Sequence, residues 1–549
     1  MPNKPWWKQA VIYQIYPRSF QDTTGTGVGD LRGIIQRLDY IKRLGVTAIW
    51  LNPVYPSPND DNGYDVSDYR GIMPEFGTMA DFDELMVGMR ERDLRLIMDL
   101  VVNHSSDEHR WFQESRKSRD NPYRDYYHWW PAEKGTPPAR FSYFDPSGAW
   151  TYDEITDAYY LHYFSRKQPD LNWQNPKVRE EVYDIMRFWL DKGVDGFRLD
   201  AFQFVGKDTS WPDLGHIDAA NMVEKCGLSP IVHDYLREMH EVVAPYEAML
   251  VAEGAGRTMQ DAIDLSDPAR KELDMVYHFE IADYGTNING FDLVGLKRLY
   301  EKWAHGLYGQ GWDSIYLGNH DVPRMVSKYG DDRPEFRELS AKALNTLLLT
   351  MPGTTYCYQG DEIGMTNINF TRIEQYRDLQ AINNYQAAKE KGEDLNAYMN
   401  YLAKFSRDHA RTPVQWNGEE QAGFTSGQPW LAVNPNYTAI NVAEQEGDVR
   451  SVLNHFRQMT TLRKEQPTLI YGDFKLLVPD HQQAFVYLRT SGEGDVCMVA
   501  MNWSDQTIYV QDIQIVNNAQ PLINNYSKPV LKSGSALRLY PWQAVVFSI

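Results

Sequence analysis

Short apolar runs rich in β-branched and aromatic residues recur along the first two thirds of the chain. They are AVIYQIY (10–16), TAIWL (47–51), LRLIMDLVV (94–102), GFRLD (196–200), MLVAE (249–253), DMVYHF (274–279), DSIYLG (313–318) and TTYCYQG (354–360). Between them lie stretches with the spacing of amphipathic helices, such as GIIQRLDYIKRLG (33–45), DFDELMVGMRERD (81–93) and VREEVYDIMRFWLDKG (178–193). Strand alternating with helix predicts a parallel sheet, and eight such units predict a closed (β/α)8 barrel, an α/β fold.

The rhythm breaks in two places and then changes. After His104 a segment rich in Pro, Gly, Asp, Trp and Tyr is too long for an ordinary loop and predicts an inserted lid after the third strand. After the eighth strand, residues 367–416 carry a polar helical pattern, DLQAINNYQAAKEKGEDLNAYMNYL, placed near the same barrel mouth. From about Leu469 short alternating runs (FKLLVP, AFVYLRT, DVCMVAMNW, QTIYVQ, QAVVFSI) predict a C-terminal antiparallel β-sandwich. The expected division is barrel 1–103 and 173–468 (with the 367–416 subdomain), lid 104–172 and sandwich 469–549.

Composition narrows the partners. A net charge of −20 with no long basic run argues against nucleic acid and anionic membranes, and favours a neutral substrate. Cys226, Cys357 and Cys497 are scattered and form neither a disulfide framework nor a metal-ligand pattern. The opening MPNKPWWKQA lacks the apolar core of a secretory signal, and no apolar run reaches ~18 residues. A cytoplasmic location is expected, or a periplasmic one where a signal peptide has been removed.

Four strand ends carry charged or imidazole groups: IMDLVVNH (97–104), GFRLD (196–200), MLVAEG (249–254) and IYLGNHD (315–321). In GFRLD, alternation points Arg198 and Asp200 the same way, and a carboxylate beside a permanent cation stays ionised, as a carboxylate nucleophile must. Barrels of this kind build their active sites at the C-terminal ends of the strands, where all four motifs put their polar groups. One Arg–Asp pair alone reads equally well as a structural ion pair; four converging motifs do not.

Together these motifs resemble the four sequence regions of the alpha-amylase superfamily, glycoside hydrolase family 13. The resemblance implies retaining hydrolysis, with Asp200 as nucleophile, Glu253 as acid and then base, and Asp321 gripping sugar hydroxyls in the transition state. Such chemistry needs two carboxyls ~5–5.5 Å apart, which neighbouring strand ends supply. Glu253, followed by the small residues GAG, is expected in a pocket that raises its pKa. His104 and His320 would hydrogen-bond the same sugar ring, and Asp99 with Asn103 would organise the site. QPDLNW (168–173) looks like the signature of the oligo-1,6-glucosidase subgroup, which includes alpha-glucosidases, dextran glucosidases and sucrose isomerases. NDDNGYDVSDY (59–69) resembles that subgroup's non-reducing-end pocket, where Asp61 and Tyr64 would bind the terminal glucose. ARTPVQW (410–416) would set Arg411 against Asp61, closing the pocket and making the action exo. Phe144 and Phe164 are candidate aromatic walls.

Some positions depart from the subgroup. DTTGTGVGD (22–30) stands where many relatives carry a calcium loop, DxNxDGxGD. Thr24 and Thr26 replace two ligands, leaving Asp22, Asp30 and the Val28 carbonyl for an ion that wants several oxygens. No cofactor is expected, and Ca2+ only weakly held. Ala201 after the nucleophile goes with alpha-1,4 substrates, where valine goes with alpha-1,6; AEGAG replaces GEMPG around the acid/base. GNHDVPRMVSKYGDDRPEFRELSAKAL (318–344) matches sucrose isomerases, yet FEIADYGTNING (279–290) replaces their RLDRD-type loop. The expected function is therefore an exo-acting alpha-glucosidase on short alpha-glucosides, alpha-1,4-linked first, with alpha-1,6 linkages and sucrose as further substrates and transglucosylation as a side reaction. The alternative is a sucrose isomerase or transglucosylase using the same residues. A non-catalytic scaffold, like the amylase-like heavy chain of amino-acid transporters, is more remote: it needs a membrane helix and usually lacks the three carboxylates kept here.

Overall fold

The computed structural model describes residues 5–284, 291–511, 513, 519–528, 531–533 and 536–549. All eight predicted barrel strands form: β1 (Val11–Ile15), β2 (Ala48–Leu51), β3 (Arg95–Val101), β4 (Gly196–Asp200), β5 (Met249–Glu253), β6 (Met275–Tyr277), β7 (Ser314–Ile315) and β8 (Thr354–Tyr358). Each pairs in parallel with its neighbours in chain order, β8 returns to β1, and a parallel bridge from Val276 to Asp313 joins β6 to β7. The strands are short and mainly apolar because both faces are buried. Inward-facing Ile12, Trp50, Ile97, Val251, Tyr277 and Tyr356 fill the barrel, with Trp50 and Tyr356 both edge-on to Tyr277. β7 keeps only Ser314–Ile315 of the predicted DSIYLG run.

Local sequence sets the helix ends. Asn175 caps the helix Pro176–Asp191 with Pro176 in its first turn, and Thr78 with Asp81 forms a capping box on Met79–Arg90. The 33–45 stretch, predicted as one helical run, is two short helices, Leu31–Gln36 and Leu38–Arg43. The break falls at Arg37, whose guanidinium bonds Gln21 and lies over Trp416 at 4.0 Å.

Between β3 and that long helix stands a three-stranded antiparallel sheet, Trp129–Pro131, Ala158–Leu161 and Trp150–Asp153. It is joined to the barrel by buried Lys207, which sits 3.0 Å from Asp170 and donates to Asn103 at 2.8 Å. The polar run after β8 folds as a helical hairpin, Leu379–Lys391 and Leu395–Phe405, broken at Gly392. The C-terminal strands form a five-stranded and a three-stranded antiparallel sheet around a shared apolar core that includes Val486, Met498, Leu537 and Phe547. Among the described residues no helix is long and apolar enough to cross a membrane. Of the loop 279–290, residues Glu280–Asp283 are helical and 285–290 lie outside the described residues.

Candidate active site

One guanidinium organises the centre. β3 and β4 pair Asp99 with Arg198, and Asp200 and Glu253 end the adjacent strands β4 and β5. Arg198 lies 3.0 Å from Asp99, 2.7 Å from Asp200 and 2.7 Å from Glu253, with the Trp50 ring beneath it. The sequence expectation that Arg198 keeps Asp200 plainly ionised needs correction, because that charge is divided among three carboxylates. Burial pushes Asp200 up to about 7, against the pull of Arg198. Burial likewise raises Glu253 to about 7, as expected from its setting, and Asp99 to about 6. Three buried carboxylates sharing one cation hold a proton near neutral pH. Immediately after Asp200 the chain turns through Ala201 in the left-handed region (φ 48°), uncommon for a residue with a side chain, and the Ala201 N–H donates to Glu253 at 3.0 Å.

Asp321 is the opposite case. Burial pushes its pKa up, but His320 at 3.0 Å, Arg411 at 2.8 Å and Arg407 at 3.1 Å outweigh it and hold the carboxyl well below the usual range. His320 does not face the cavity as expected. Its ring nitrogens meet Gln14 at 2.9 Å and the Tyr64 hydroxyl at 2.7 Å, and its ring stacks on Tyr64 at 5.2 Å, so it braces Tyr64 and Asp321 from beneath. The Tyr64 hydroxyl is itself spent on Asp99 at 2.8 Å. Tyr64 therefore offers a ring face to the cavity.

That cavity, of about 630 Å3, brings together Asp61, Tyr64, His104, Phe144, Phe164, Asp200, Glu253 and Asp321 from the sequence-derived set. Burial lowers His104 to about 3, so its ring is neutral; its Nε2 meets Gln168 at 3.1 Å. The Gln168 amide also donates to Asp61 at 3.1 Å. Burial raises Asp61 to about 7, with Arg407 and Arg411 pulling the other way. The expected pairing of Arg411 with Asp61 is corrected: Arg411 lies against Asp321, and the arginine across from Asp61 is Arg407, at 4.0 Å. The two arginines stand one helical turn apart around the short helix Asp408–Arg411, so one reaches the inner carboxylate and the other also the outer. Sequence reasoning missed Arg407, Asp378 and the contacts of Gln168. Gln168 opens the QPDLNW signature and Arg407 lies four residues before Arg411, so both were within sight of a motif.

The loop 22–30 is filled by donors. Asp22 accepts the backbone N–H groups of Thr24, Gly25 and Gly27 at 2.8–3.0 Å and the hydroxyls of Thr24 and Thr425. Asp30 accepts Thr23 N–H at 2.8 Å and caps the next helix through Gly33 N–H at 2.7 Å. Among the described residues no group of three or more His, Cys, Asp or Glu is placed to hold a metal ion.

Residues 14–472 match the family model of the alpha amylase catalytic domain. Across 100% of its length the chain is 48% identical to the oligo-1,6-glucosidase of Parageobacillus thermoglucosidasius, covering 99% of that protein. It is 43% identical to the alpha-glucosidase of Pediococcus pentosaceus, covering 99% of both. The crystal structure of the trehalulose synthase from Pseudomonas mesoacidophila MX-45 matches the whole fold with a TM-score of 0.95 at 43% identity, covering 100% of each chain.

Proposed function

The chain belongs to the alpha-amylase family of glycoside hydrolases, and from that premise we propose an exo-acting, retaining alpha-glucosidase that releases glucose from the non-reducing end of short alpha-glucosides. The observation that carries this reading is a single cavity with Asp200 and Glu253 gripped by one guanidinium and with Asp61 and Arg407 across its far end. Two carboxyls drawn together in this way suit the ~5–5.5 Å spacing of retaining enzymes better than the wider spacing that leaves room for an attacking water.

In the proposed cycle Asp200 attacks the anomeric carbon while Glu253 gives its proton to the leaving oxygen. Glu253 then takes a proton from water, whose oxygen displaces Asp200 and leaves glucose in its original α configuration. Arg198 spreads the negative charge, and Asp321, kept ionised by His320 and two arginines, holds sugar hydroxyls as positive charge develops on the ring. The Tyr64 ring and Phe164 give the sugar apolar faces. No metal enters the cycle. We also propose that the 22–30 loop closes without calcium, since the oxygens of Asp22 and Asp30 already accept protein donors.

A second reading, sucrose isomerisation, is favoured by the trehalulose synthase likeness. One experiment separates the two: proton NMR of the purified enzyme on maltose, isomaltose and sucrose in turn. α-Glucose as the first product from maltose or isomaltose supports the alpha-glucosidase. Isomaltulose or trehalulose as the main product from sucrose replaces it with the isomerase, and β-glucose as the first anomer rules out retention.

A further inference from the structure

The far end of the catalytic cavity is one side chain thick. Phe144 lines that cavity and also a second groove of about 560 Å3 between the lid and the Leu379–Lys391 helix. Asp61 faces the first and its neighbour Asp60 the second. Beyond the wall the groove is lined by Asp145, Arg166, Gln386 and Glu390, polar groups now paired with one another, Asp145 with Arg166 and Gln386 with Glu390 at 2.8 Å, and of the kind that exchange such partners for sugar hydroxyls.

Both halves of the wall hang on one helix. Arg407 lies over the Phe144 ring at 5.2 Å, and its guanidinium is held by Asp378, which accepts from Nε at 3.0 Å and also from Nη2. Asp378 is buried, lines neither cavity and caps the Leu379–Lys391 helix by accepting the Ala381 N–H at 3.2 Å. Further along the same helix Asn383 donates to the Phe144 backbone carbonyl at 2.8 Å. The cation and the ring are thus both fixed by the first turns of a single element.

We propose that Asp378 and Asn383 are positioning residues that keep this wall shut, and that the groove beyond it is a latent site for further glucosyl units on the non-reducing side. The inference rests on the exo reading and extends it. It predicts that loosening the helix's hold lets a longer chain pass Asp61 and be cut internally.

The test compares two substrates, maltoheptaose and a maltoheptaoside whose terminal 4- and 6-hydroxyls are bridged by an ethylidene group, by counting new reducing ends. The wild type is expected to cut the first and spare the second. Asp378→Asn and Asn383→Ala are each expected to raise the blocked-to-unblocked rate ratio by about tenfold or more, with KM for maltose rising more than kcat falls. Variants with native circular dichroism that keep the wild-type ratio overturn the proposal. Should Asp378→Asn fail to fold, Asn383→Ala, which removes one hydrogen bond, decides alone. A wild type that cuts the blocked substrate overturns the exo reading instead; where it cuts neither heptamer, the same ratio is read on maltotriose and its ethylidene-blocked counterpart.

Discussion

At the scale of single residues the centre behaves as one titrating unit. Asp200 and Glu253 are both raised to about 7 by burial, so the productive form, one proton between them, is most populated near neutrality. Lower pH protonates both and removes the nucleophile; higher pH ionises both and removes the acid. A bell-shaped dependence of kcat/KM centred near pH 7 is expected, and a flat profile from pH 5 to 9 would count against the assignment. Glu253→Gln should lower kcat by about 10³ on an unactivated glucoside and abolish the alkaline limb, while Asp200→Asn should lose at least as much. Steady-state rates on maltose check both. The pair was legible in the sequence because each residue ends an apolar run, and strand direction alone sends it to the mouth. The sharing of Arg198 by three carboxylates was not, since it depends on how three strands register side by side. Arg407 was hidden for a similar reason: the motif drew attention to Arg411, and only the turn of a short helix decides which arginine reaches Asp61.

At the scale of elements, the barrel strands could be read because burial on both faces makes them short apolar runs, with charged groups mostly near their C-terminal ends. The break at Arg37 could not, because the partners its guanidinium meets there, Gln21 and the Trp416 ring at 4.0 Å, lie elsewhere along the chain. In the 22–30 loop protein donors meet the carboxylates. Five donors converge on Asp22, and burial, which would raise its pKa, is outweighed by the hydroxyl of Thr425 and the N–H of Gly27, leaving it lowered. Millimolar EDTA is therefore expected to leave the melting temperature unchanged, and metal analysis of untreated protein to find calcium well below one equivalent. A fall of several degrees on chelation would restore the ion. Thr425→Val should instead destabilise the loop by ~1 kcal/mol, seen as a lower melting temperature, because one donor to a buried carboxylate is lost.

At the scale of the whole molecule, the C-terminal sandwich is pinned to the barrel by cations that reach buried carbonyls. Lys297, on the helix Leu293–Leu307, donates to Val478, His481 and Ala484 at 2.7–3.0 Å, and Arg489 donates to Thr350, Leu469 and Gly472. Lys297→Met leaves those carbonyls unmet at a cost of ~1–3 kcal/mol. Limited proteolysis should then release the C-terminal segment sooner, with maltose turnover below the melting temperature unchanged. The parallel barrel sheet and the antiparallel sheets at the C-terminal end were legible from changes of rhythm along the chain; these pins were not, because a lysine in a helix pattern reads as solvated until its neighbours are known. The wall of Asp61, Arg407 and Phe144 carries one more consequence. A pocket closed by that wall cannot be threaded, so a chain cannot slide forward for a second cut. Each turnover must empty the site before the next chain end enters, and every molecule in a mixture of oligosaccharides shortens in step, one unit at a time, with no substrate held from one cut to the next.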